Sequence, residues 1–274
     1  MVGAAAISTV ELMKFLDVDG LGQVSRIGLG TWQFGSSEWG YGDEYAEGAA
    51  REIETWAGHP YMAQILIKAE PRPSWGDPKY DPIWAAATRH DITVSCHLAR
   101  GSYETLPIPP VGLPSYNHDF MVSYSLLAAN QVMSLIFDGV FDRYPTLRIV
   151  LVEHAFNWIL PLMWRMDAIY EARKSWLDIK RKPSEYVKDH IKFTTQPLDY
   201  PEDKTELLRA FEWMECEKIL LFSSDYPHWT YDDPRWLVKH LPEHAREAVM
   251  FRNGIETYKL PDTVPAIEGQ MRVF

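Results

Sequence analysis

Apolar positions in this chain fall into short runs that alternate with longer helical patterns. Ile219, Leu220, Leu221 and Phe222 form an unbroken apolar run that stops just before Ser223, Ser224 and Asp225. Such a run predicts a strand buried on both faces, as in a parallel sheet, and Pro227 prevents its continuation. Residues 62–68, 92–97, 147–154 and 191–195 predict four more strands, the second of them rich in β-branched side chains. Helical composition or periodicity occupies 46–56, 82–90, 119–141, 158–176 and 204–214, with further helices at 234–240 and 243–252. Pro161 sits early in the fourth of these, where a missing N–H is tolerated. Five strand–helix units in succession predict an α/β fold with right-handed crossovers, closing as a βα barrel or as part of one.

Residues 1 to about 50 have a different texture. Residues 15–24 predict a hairpin with Asp19 and Gly20 at its turn, and 25–35 predict a short strand running into a glycine-rich loop. This stretch, with its Gly-Leu-Gly-Thr-Trp-Gln-Phe-Gly loop from Gly28 to Gly35, resembles the start of an aldo-keto reductase. There a small hairpin precedes the first barrel strand. The resemblance covers about residues 14–50 and implies an NADPH-linked reductase. The Asp, Tyr, Lys and His that would complete a reductase site find no counterpart downstream, so this is the weaker functional reading.

Composition narrows the field. Hydrophobic residues at 46% and charged residues at 24% are ordinary for a globular protein. A net charge of −11 argues against nucleic acid or an anionic membrane as the main partner. Two cysteines, both in or beside apolar runs, suggest buried thiols in a reducing compartment. No apolar run approaches a membrane span, and the first residues lack a secretory pattern, so a cytoplasmic location is expected.

His97, Glu153, His154 and Asp225 stand at the C-terminal ends of three predicted strands. In a βα barrel those ends converge on one face, so residues far apart in sequence share a site. Histidine and aspartate suit a divalent ion such as zinc, which lowers the pKa of bound water and polarises a substrate oxygen. A histidine off the metal can carry the proton. Taken singly, each residue has a plainer role: Asp225 caps the next turn, His97 and His154 are hydrogen-bonded strand-end histidines, Glu153 is a supporting carboxylate, and His228 closes a turn. The recurrence of all of them at one structural address favours chemistry.

From about Glu47 onward the chain resembles the amidohydrolase-related family, in the branch of aminocarboxymuconate-semialdehyde decarboxylase and related aromatic-acid decarboxylases and hydrolases. The stretches that carry the resemblance are Val94 to His97, Phe141 to Val150, Glu153 to Pro161, Trp164 to Asp167, Ser223 to His228, and Arg252 to Gly254. It implies a TIM barrel of the metal-dependent hydrolase type, with His97 and Asp225 as metal ligands and His154 acting on substrate or water. It also implies a division into a segment at 1–46 and a barrel portion at 47–274. The expected activity is metal-dependent hydrolysis or nonoxidative decarboxylation of a small aromatic or carboxylate-bearing substrate.

One departure matters. Members of this family begin with a strand bearing His-x-His or Glu-x-His, yet no His-x-His occurs here and no histidine precedes His59. The barrel is therefore expected to be incomplete, its first strands replaced by the reductase-like hairpin and strand. A joined or truncated reading frame explains this, and completion as a homodimer is the alternative. The second functional reading follows: a catalytically incompetent remnant or binding partner.

Overall fold

The computed structural model describes residues 15–18, 22–25, 45–59, 62–68, 73–97 and 117–260. Strands β1 (Phe15–Val18) and β2 (Gly22–Ser25) pair antiparallel, with Val18 opposite Gly22. That is the expected hairpin. Its turn residues, and the glycine-rich loop after it, lie outside the described residues.

The remaining strands form one parallel sheet: β3 (Gln64–Lys68), β4 (Thr93–His97), β5 (Ile149–Val152), β6 (Ile191–Thr194) and β7 (Leu220–Leu221), paired in sequence order. Neighbours in space are neighbours in sequence, so the order never reverses as it would in a doubly wound sheet. This is the arrangement of successive strands in a TIM barrel. The register explains its stability. Ile67, Cys96, Leu151, Phe193 and Leu220 stand side by side across all five strands, and Ile65, Val94, Ile149 and Ile191 form a second row. Both rows belong to the buried core shared with the helices. The pleat sends the alternate positions to the other face, where Ser95, His97, Val152, Lys192 and Thr194 lie.

Helices α1 (Tyr45–Trp56), α2 (Asp81–His90), α3 (Asn117–Phe137), α4 (Val140–Arg143), α5 (Ile159–Arg173), α6 (Pro183–His190), α7 (Lys204–Met214), α8 (Cys216–Ile219), α9 (Pro234–His240) and α10 (Asn253–Tyr258) complete the order. Trp84, Leu135, Ile159 and Phe211, one from each of α2, α3, α5 and α7, are essentially unexposed in the core. Asp203 and Asp233 cap α7 and α9 by accepting from the N–H of Thr205 and Arg235.

Four expectations need correction. The helix read across 119–141 breaks at Gly139, whose φ of 70° suits glycine and separates α3 from α4. The strand read to His154 stops at Val152, because Glu153 and Ala155 take left-handed φ of 63° and 54°. The apolar run at 219–222 contributes only two strand residues, since Cys216–Ile219 is a helical turn. Helix α6 was not anticipated. Its signal was present: Pro183 occupies a first-turn position and the Glu185 carboxylate accepts from the Lys182 N–H.

Candidate active site

The C-terminal edge of the sheet carries the anticipated residues. His97 is the last residue of β4, and its Nε2 lies 3.2 Å from Glu153 Oε2. Glu153 reaches that position because its left-handed φ turns the chain as it leaves β5, while its N–H donates to Thr194 Oγ1 at 2.9 Å. Strand β6 is thereby tied to the same edge. His97 and Glu153 are both partly open, at 45% and 26% side-chain exposure.

Asp225 anchors a second cluster four residues beyond β7. Its φ is 58°, a conformation that aspartate tolerates better than most residues. Asp225 Oδ2 accepts from Thr230 Oγ1 at 2.9 Å and from the Gln196 side-chain amide at 3.5 Å, and His228 Nδ1 lies 3.0 Å away. A carboxylate only accepts, so His228 Nδ1 must carry the proton in that contact, which leaves Nε2 for the solvent side. Oδ1 of Asp225 has no partner among the described residues. Thr195 and Ser223 hold the β6 and β7 exits together: Ser223 N–H donates to Thr195 Oγ1 at 3.0 Å, and Thr195 Oγ1 donates to Ser223 O at 3.1 Å. Nearby, burial pushes the Asp232 carboxyl up, the Asp199 and Asp225 charges add to the rise, and the Leu198 N–H it accepts opposes it.

His154 takes a different position. It is 2% exposed, and its Nε2 lies 3.6 Å from the sulfur of Cys96, whose side chain points to the face opposite His97. The described contacts thus bring Glu153, rather than His154, to His97. His228 closes the turn after Asp225 as expected, its N–H donating to Asp225 O at 2.7 Å; the side-chain contacts of His228 and Glu153 follow from backbone bends that composition does not reveal.

His97 and Asp225 share an edge, on strands separated by two others, and it is the inward curvature of a barrel that turns such strand exits toward one another. Their donor chemistry, imidazole and carboxylate, fits a divalent ion. Their number falls short: no group of three His, Cys, Asp or Glu suited to an ion occurs among the described residues. Two protein donors hold zinc less firmly than the usual three or four.

A larger cavity, about 560 Å³, lies at the opposite end of the sheet between Phe141, Asp142, Arg181 and His190. Size does not make it the site. Asp142 already accepts from the Tyr186 hydroxyl at 2.7 Å, Arg181 pairs with Asp189 at 2.7 Å, and His190 Nδ1 donates to Leu147 O at 2.9 Å.

A parallel sheet in unbroken sequence order, with imidazole and carboxylate groups along its C-terminal edge, is the arrangement of a TIM-barrel protein. A family model described as Amidohydrolase matches residues 39–260, well over half the chain, and the protein belongs to that family. Gamma-resorcylate decarboxylase of Rhodococcus jostii is 26% identical over 160 residues, covering 55% of this chain and 44% of that protein. The structure of 5-carboxyvanillate decarboxylase from Sphingomonas paucimobilis matches with a TM-score of 0.59 at 21% identity, over 80% of this chain and 65% of that one. A dihydroxybenzoic acid decarboxylase from Polaromonas, with bound manganese and the inhibitor 2-nitroresorcinol, matches with a TM-score of 0.55 at 20% identity, over 78% and 66%. An uncharacterized oxidoreductase of Mycobacterium bovis is 85% identical over 41 residues, 15% of this chain and 13% of that protein. The chain thus spans less than half the length of the curated relatives it matches. Among the described residues no helix is long and apolar enough to cross a membrane.

Proposed function

We propose that this protein is a metal-dependent carboxy-lyase of the amidohydrolase family, acting on a small aromatic acid. The observation that carries the reading is the placement of His97 and Asp225 at strand exits of one sheet edge, with Asp225 Oδ1 left open while Oδ2 is held by its neighbours. His97 and Asp225 would hold the ion, manganese or zinc, with the other positions left to water and to donors outside the described residues. The bound ion supplies positive charge that fixes a carboxylate or phenolate oxygen.

The chain's own residues do the rest. Glu153 holds the His97 ring in place from behind, and Thr230 and Gln196 orient the Asp225 carboxylate, the usual task of groups one bond removed from a metal. In nonoxidative decarboxylation the ring–carboxyl C–C bond breaks, carbon dioxide leaves, and the ring carbon takes up one proton. The family resemblance assigns that proton to His154. The exposed His228, held through Nδ1, is the second imidazole at this edge.

Residues 1–46 form a separate segment in this reading, supported by the short oxidoreductase match. Five parallel strands among the described residues, against the eight of a closed barrel, support completion as a homodimer. The buried thiols of Cys96 and Cys216 support a cytoplasmic location. A specific observation favours a second reading, a metal-free remnant that binds without turnover: the shortage of donors among the described residues.

The deciding experiment is carbon dioxide release from 5-carboxyvanillate and 2,6-dihydroxybenzoate by the intact chain with added Mn²⁺. Metal-dependent release, lost in His154→Ala or in His228→Ala, supports the carboxy-lyase and names the proton carrier. Absence of both release and metal retention supports the remnant.

A further inference from the structure

The face of the sheet turned away from the core helices is not empty. The C-terminal segment crosses it. Phe222 N–H donates to Val249 O at 2.9 Å, Asn253 Nδ2 donates to Leu220 O at 2.8 Å, and Thr93 Oγ1 donates to Thr257 O at 2.5 Å. The turn at Ala248–Arg252 and helix α10 therefore lie against β7 at one side and β4 at the other, on the face that lines the interior of a barrel.

A cavity of about 260 Å³ remains between this segment and the strands. Val152 and Ser223 line it, one residue before Glu153 and two before Asp225, so it opens directly beneath the candidate site. Phe222, Met250 and Phe251 give it apolar walls, while Gln64, Thr194 and Tyr258 supply amide and hydroxyl groups. Among the described residues no Asp, Glu, Lys, Arg or His lines it. Burial pushes the Tyr258 phenol up, against a hydrogen bond shared with Ser95, so its hydroxyl is neutral. Gly254 also lines the cavity, and a Cβ built there meets no atom within 4 Å.

We infer that this cavity seats the uncharged, hydroxyl-bearing ring of an aromatic ligand, and that Gly254 and Tyr258 set how large a ring it admits. Apolar walls with a few convergent polar groups are the ordinary make-up of a small-molecule pocket. A carboxylate would be left unpaired there, so the acid group points up to the edge where His97, Asp225 and His228 stand. The inference deepens the carboxy-lyase reading and rests on it for the direction of the acid group. The seat itself is independent of turnover. Its floor comes from a helix after the last strand rather than from a barrel strand.

The test titrates resorcinol into the intact chain by calorimetry, without metal, in wild type, Gly254→Leu and Tyr258→Ala. Gly254→Leu fills the open space and is expected to weaken resorcinol about tenfold, the worth of roughly two displaced methylene contacts. Tyr258→Ala is expected to admit 1-naphthol, which wild type excludes. Gly254→Ala, which adds a single methyl to a helix, gives a smaller loss in the same direction if the leucine variant fails to fold. Unchanged resorcinol affinity in folded Gly254→Leu, or no resorcinol binding in wild type, overturns the seat while leaving metal-dependent decarboxylation to stand. Resorcinol binding that responds to Gly254 in a chain without decarboxylation overturns the carboxy-lyase reading and keeps the seat.

Discussion

The two ends of the parallel sheet are built to opposite purposes. At the N-terminal end most of the charged and polar groups are matched to one another. Tyr186 and the Lys180 N–H satisfy Asp142, Arg148 pairs with Asp91 at 2.5 Å, and the His190 ring stacks on Phe141 at 4.4 Å between centroids. At the C-terminal edge the backbone bends through left-handed Glu153, Ala155 and Asp225, and half-open carboxylates face imidazoles. Aromatic side chains stand in solvent beside them, with Tyr226 at 77% and Trp229 at 79% exposure. One end spends its polar groups on stability. The other keeps strained and exposed groups that stability alone does not require.

Substitutions that separate the two ends sharpen this contrast. The largest effect is expected at Asp225→Ala, which should lower metal-dependent turnover by about 100-fold or more while chemical unfolding changes little. A loss of stability comparable to a core truncation would instead make Asp225 a structural residue. Tyr186→Phe should do the reverse. Removing the hydroxyl that donates to Asp142 costs about 1–2 kcal/mol of unfolding free energy in urea titration and leaves turnover intact. Its phenol, pushed up to about 12 by burial and then by the Asp142 hydrogen bond, is protonated throughout that experiment. Smaller still, Ala155→Gly should raise stability by about 1 kcal/mol, because a Cβ at φ 54° is strained and glycine is not. A decrease there would mean that the turn after β5 is not under strain.

The pH response separates the ends as well. Burial lowers the pKa of His190, so the unfolded chain binds the proton more readily than the folded one. The stability this histidine contributes is complete above its unfolded value, near 6.5, and declines as pH falls toward its folded value. Thermal unfolding should therefore show wild type losing more stability between pH 7 and pH 5 than His190→Gln. Equal losses would place the acid sensitivity elsewhere.

How much of this was legible in the sequence depends on how local the cause was. Helix α7 falls at Lys204–Met214 as its period predicts, and α9 begins at the proline that marks it, because both boundaries are set by capping residues a few positions away. His97 could be placed at a strand exit for the same reason. The Glu153–His97 pair could not be foreseen. It requires both the β4–β5 register and a left-handed residue, neither of which has a composition signal when the residue is glutamate. The turn at Cys216–Ile219 was hidden by its own apolarity, since a buried helical turn and a buried strand share the same residues. The crossing of α10 over the inner face is a long-range fact, carried by Thr93 with Thr257 and by Asn253 with Leu220.

The central claim is that the C-terminal edge, and not the more spacious opposite end, holds the reactive centre. Mn²⁺ titration of the intact chain by calorimetry tests it most directly. One ion per chain is expected, lost in both His97→Ala and Asp225→Ala and undisturbed by Tyr186→Phe. Binding that survives both edge substitutions, or no binding at all, would contradict it.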